Sequence, residues 1–188
     1  MNQRYIFDNE SNYYNATISG ADNASGSYTL TSVVRPANGV PNTTILQSPW
    51  GEEGVIHWRD REIEVDGVRH PIDTIKQREG GPRSLTYLWA LGKSQWRSKY
   101  MSDSRSWKVW SGRDNPPSDT VVIEFKPYRS KTFGKADAAE LRISVSDKDA
   151  IFVILFLIYL QIIEGPRFSF MDRMLGDLFA SSMSSGSL

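Results

Sequence analysis

Nine basic residues, Lys76, Arg78, Arg83, Lys93, Arg97, Lys99, Arg105, Lys108 and Arg113, alternate along residues 76–113 with Tyr87, Trp89, Trp96, Tyr100, Trp107 and Trp110. Basic groups neutralise phosphates, and aromatic rings stack on bases or settle at a membrane interface. The plainer reading is a solvated strand face whose aromatics point into the core. If the segment binds an anion, Arg97, Lys99, Arg105 and Lys108, with Trp107 beside them, are the residues to do it.

Other candidates are thinner. The two histidines, His57 and His70, have no neighbouring motif that supplies a nucleophile or a carboxylate. Glu62 and Glu64 share a strand face and could work as an acid/base pair, but outward carboxylates on an alternating strand are ordinary solubility. Ser146, Asp147 and Asp149 resemble a hard-cation loop, yet the spaced oxygen ligands and central glycine are missing, and helix capping accounts for them. Gly80-Gly81-Pro82 lacks the Lys-Ser/Thr of a phosphate loop. No catalytic residue, metal or cofactor is assigned, and nucleic acid is not an expected partner.

The chain has 188 residues, 39% hydrophobic and 23% charged, with zero formal net charge. This is enough for one domain with a real core and gives no global field for nucleic acid or membrane. The charge is nevertheless divided: residues 1–75 hold 5 Lys and Arg against 10 Asp and Glu, and residues 76–113 hold 9 against 2. The absence of cysteine excludes disulfides and thiol chemistry and fits an intracellular, cytoplasmic protein, peripheral at membranes if it binds lipid. The N-terminus shows no signal peptide, so the sequons at Asn9, Asn15, Asn23 and Asn42 read as chance.

These residues must be held by short strands. An Asn/Ser-rich segment, 1–26, offers one short strand near Asn15–Ile18. Ser27–Arg35, Thr43–Ser48, Gly54–Asp60 and Arg61–Val65 follow. Asp66-Gly67 is a hairpin turn, and 77–84 a polar loop. Then come Leu85–Leu91, Trp96–Met101, Arg105–Ser111, Thr120–Lys126 and Glu140–Val145. Spacings of about 8–12 residues signal a sandwich or barrel.

The stretch from Ala150 to Ile163 is apolar except for Gln161. Ser146–Asp149 caps its start and Gly165-Pro166 stops it, which makes it a helix, 148–163. At 1.5 Å per residue it reaches about 21 Å, short of a roughly 30 Å hydrocarbon core, so no transmembrane span is expected. A helix apolar all round must be buried all round. The economical solution is a mainly β fold: a closed or nearly closed antiparallel barrel of about 10–12 strands over residues 27–164, around this C-terminal helix. Residues 165–188 form a tail, with an amphipathic stretch over 166–180 able to meet a protein partner.

This arrangement resembles the tubby-like fold of tubby C-terminal domains, LURP-one-related proteins and phospholipid scramblases. More closely, the chain is similar to a family of small fungal, mainly basidiomycete, domains of unknown function. Three stretches carry the likeness: Thr44-Ile45-Leu46 with Gly54-Val55-Ile56-His57-Trp58; Tyr100 to Trp110; and Val121–Phe125 with Ala139–Ile143 before the helix. It covers roughly residues 27–163. Ser104 stands where that family has glycine, so the turn there is expected to differ. Tubby-like domains bind phosphoinositide headgroups through a basic patch, so the resemblance implies a non-enzymatic module for anionic phospholipid. The alternatives are a small-molecule-binding protein or enzyme with a barrel-mouth site, using His57 or His70, and a structural protein assembling through the tail.

Overall fold

A computed structural model describes residues 3–8, 13–21, 26–34, 41–81, 83–112, 121–129, 136–144 and 147–164. Among these residues thirteen strands and two helices run in the order β1 (Gln3–Phe7), β2 (Ala16–Gly20), β3 (Ser27–Val34), β4 (Pro41–Gln47), β5 (Glu53–His57), β6 (Glu62–Val65), β7 (Val68–Pro71), α1 (Ile72–Ile75), β8 (Lys76–Glu79), β9 (Thr86–Leu91), β10 (Ser94–Met101), β11 (Ser106–Ser111), β12 (Val121–Lys126), β13 (Glu140–Ile143) and α2 (Asp147–Ile163). All thirteen strands form one antiparallel sheet, ordered β7-β6-β5-β4-β3-β2-β1-β13-β12-β11-β10-β9-β8.

The sheet lies on both sides of α2. Its residues from Ala150 to Leu160 are each at most 3% exposed. From the first half of the sheet, a Cβ on Gly54 would meet Ile151 and Leu155, and Trp58 stacks with Tyr159. From the second half, Trp89 stacks on Phe156 with centroids 4.6 Å apart, and Trp96 leans on Phe152 at 5.2 Å. Burying a large apolar side chain contributes about 1.5–3 kcal/mol, so this shared core dominates stability. No helix among the described residues is long and apolar enough to cross a membrane.

Three expectations need correcting. The sheet is not closed by hydrogen bonds: β7 and β8 are its edges, joined only by α1, whose Ile72 and Ile75 are buried. The N-terminal segment is also not separate from the sheet, because β1 sits between β2 and β13 near the middle of the order. β8 was expected to be loop. Its sequence, Lys-Gln-Arg-Glu, has no β-branched residue, and the strand forms by pairing with β9. The Asp66-Gly67 turn is as expected, with φ of 53° and 72° at its two central residues. Ser146 and the tail, 165–188, lie outside the described residues.

Candidate functional site

Six of the nine basic residues fall into three groups according to which face of the sheet each strand presents; Lys93 lines a cleft, Arg83 lies in the loop before β9, and Arg113 lies outside the described residues. Alternation sends Lys76 and Arg78 of β8 inward beside Trp89 and Tyr87. They meet Glu164, just past α2: Lys76 Nζ is 2.8 Å from Oε1 and Arg78 Nη2 is 2.9 Å from Oε2. The Tyr87 hydroxyl donates to Oε2 at 3.1 Å, and the Lys76 ammonium lies 5.1 Å from the ring centroids of both Tyr87 and Tyr159. Burial pushes the Glu164 carboxyl up, but the hydrogen bond and charge of Lys76, with Tyr87 and Arg78, outweigh it and hold the group below its ordinary value. These two cations serve the helix end.

Arg97, on the outer face of β10, forms the second group. Its Nε and Nη2 donate to the two carboxylate oxygens of Glu79 at 2.8 and 3.1 Å, and its side chain is 12% exposed. This two-pronged pair neutralises Arg97 and ties β10 to the edge strand across β9.

The third group is on the surface. Successive cross-strand partners on the outer face are Thr86, Lys99, Lys108, Glu124, Arg142 and Arg4. Glu124 lies 3.8 Å from Lys126 and 4.0 Å from Arg142. Glu140 takes Arg142 at 2.6 Å and Arg4 at 2.8 Å. Burial raises the Glu140 carboxyl, and the hydrogen bonds from Arg4 and Arg142 more than reverse this. Lys99 stands directly opposite Lys108, and among the described residues neither has a carboxylate within ion-pair distance. Arg105, exposed in the turn between β10 and β11, is likewise without one. Its φ of 49° supplies the left-handed residue of that turn, so Ser104 needs no glycine, and the Ser104 and Ser106 hydroxyls bond at 2.8 Å. Burial raises the Tyr100 hydroxyl against the pull of nearby Arg105 and Arg129.

Trp107 is not at this surface, which corrects its expected place beside a ligand. It is 0% exposed, its ring contacts Tyr87 and Tyr100, and its indole N–H donates to Gln161 Oε1 at 3.1 Å. Adjacent strand positions face opposite ways, so Lys108 outward requires Trp107 inward. The same bond explains the polar residue in the apolar helix.

His57 Nε2 lies 2.9 Å from Glu64 Oε2, which also accepts from Arg69 Nε at 3.1 Å. The His57 bond is the main cause that holds the Glu64 carboxyl below its ordinary value. Glu62 also lies near Arg69, at 3.9 Å, so the paired carboxylates share a cation. No hydroxyl nucleophile among the described residues is bonded to the His57 ring, and His70 sits apart, opposite Ile63. A cleft of about 470 Å³, lined in part by Lys93, Gln95, Trp96 and Asp149, opens where α2 begins.

Comparison of the chain with protein-family models, with curated proteins and with solved structures finds no match in any of the three.

Proposed function

We propose that the chain is a non-enzymatic binding module of tubby-like architecture, with the wrapped sheet acting as a barrel. In this reading Lys99, Lys108 and Arg105 hold the anionic headgroup of a membrane phospholipid. The observation that carries it is the Lys99–Lys108 pair. Like charges directly opposite on neighbouring strands oppose folding. Arg4, Lys126 and Arg142 on this face have a carboxylate within ion-pair distance, whereas neither lysine has one among the described residues, although Glu124 stands opposite Lys108 on the next strand. A phosphate between them would neutralise both, with Arg105 at the strand ends as a third contact.

Sedimentation with phosphatidylcholine vesicles carrying a phosphoinositide tests this. Wild type should pellet. A lysine near an anionic surface contributes about 1 kcal/mol, so Lys99→Gln/Lys108→Gln should weaken binding roughly 30-fold. Wild type that stays in the supernatant overturns the reading.

A second reading, a small-molecule site, is favoured by the cleft beside Trp96, which Lys93 and Gln95 also line. An NMR screen of carboxylate and zwitterionic metabolites, read at the Trp96 indole proton, tests it; no shift from any of them rules it out.

A further inference from the structure

The other half of the sheet presents an indole to solvent. Trp50 is 57% exposed at the tip of the β4–β5 turn. That turn is tightly bonded: Ser48 Oγ accepts from the backbone N–H groups of Trp50 and Glu52 at 3.2 and 3.0 Å. The Ser48 N–H donates to the Glu52 carbonyl at 2.8 Å, and the Gly51 N–H to the Ser48 carbonyl at 3.1 Å. Pro49 packs so closely on Gly26 that a Cβ there would lie 2.2 Å from the proline ring. The ring is therefore held in water by a preorganised turn. Glu52 and Glu53 follow it in the chain and Asp66 stands at the adjacent hairpin tip, all exposed and without an ion-pair partner among the described residues.

This acidic aromatic tip and the basic face lie at opposite ends of the core. Gly54, next to the tip, abuts Ile151 near the start of α2, and Trp107, beside Lys108, bonds Gln161 near its end. Ten residues of helix span about 15 Å. Placing copies head to tail brings the tip of one chain to the basic face of the next. We propose that this chain associates with a second copy of itself in this way. The tip carboxylates meet Lys99, Lys108 and Arg105, and the Trp50 ring faces an ammonium. A second copy fits because the chain carries both halves of the match. Residues 1–75 hold 5 basic against 10 acidic residues, residues 76–113 hold 9 against 2, and the net charge is zero.

The inference goes beyond headgroup binding but uses the same lysines, so the dimer and the headgroup compete. Sedimentation velocity of the full chain tests it. At about 0.1 M salt the mass should rise with concentration above the 21.3 kDa of one chain, a dimer forming first. It should return to one chain at about 1 M, where the Debye length falls from roughly 10 to roughly 3 Å. Glu52→Lys/Glu53→Lys and Lys99→Glu/Lys108→Glu should each be monomeric alone. Their equimolar mixture should dimerise, which also shows that both are folded. Trp50→Ala should weaken the dimer roughly tenfold. A single-chain mass at every concentration overturns the proposal, as does a dimer indifferent to both reversals. Trp50→Ala keeps every lysine, so its vesicle sedimentation separates the two readings. Pelleting with the dimer lost leaves headgroup binding standing, and a wild-type dimer that never pellets removes headgroup binding alone.

Discussion

The Glu164 carboxylate meets the Lys76 ammonium at 2.8 Å across 88 residues of sequence, joining the end of α2 to edge strand β8. The helix has no basic residue in its own last turn, so β8 supplies the cations that its C-terminus favours.

This clamp should make stability depend on acid. The folded Glu164 carboxyl lies below its ordinary value of 4.5, so its contribution is present above that pH and is lost as pH falls through the lowered folded value. Urea midpoints should drop below about pH 4.5, and Glu164→Gln should flatten that drop. Near pH 7 the variant should lose about 1–3 kcal/mol, because Lys76 is left enclosed without its anion.

Phe156→Ala removes the ring stacked on Trp89 and should cost about 3–5 kcal/mol in chemical denaturation. Phe156→Asp places a charge where the wild-type residue is 0% exposed and should leave no cooperative unfolding transition by circular dichroism.

Gly54→Ala should destabilise by about 1–3 kcal/mol, although alanine suits a strand better than glycine does. Its Cβ would come within 2.6 Å of both Ile151 Cγ2 and Leu155 Cδ1. A thermal melt equal to wild type would show that the helix can shift away from β5.

Arg97→Gln should cost about 1.5 kcal/mol and leave vesicle sedimentation unchanged, since Arg97 already holds Glu79 with both prongs. A loss of pelleting as large as that of the Lys99/Lys108 variant would return Arg97 to the binding face.

Local chemistry was enough for much of the fold. Alternation placed most strands, Asp66-Gly67 placed a hairpin, and fourteen residues with one polar side chain required a buried helix. The same reasoning could not find β8, whose two inward residues are Lys76 and Arg78. A strand that faces a carboxylate from a distant helix end carries no hydrophobic signature.

The candidate site was legible only as composition. Sequence determined that cations and aromatics share residues 76–113, and alternation implied that Lys108 and Trp107 point apart. Which cations remain on the surface depended on partners distant in the chain. Glu164 takes Lys76 and Arg78, Glu79 takes Arg97, and Gln161 takes the Trp107 indole. What the sequence determined by itself was a mainly β chain organised around one apolar helix, because period and burial are local properties. Only the tertiary structure decided that Lys99 and Lys108 stand opposite each other with no carboxylate within ion-pair distance among the described residues, because register and ion pairing are set between segments the sequence keeps apart.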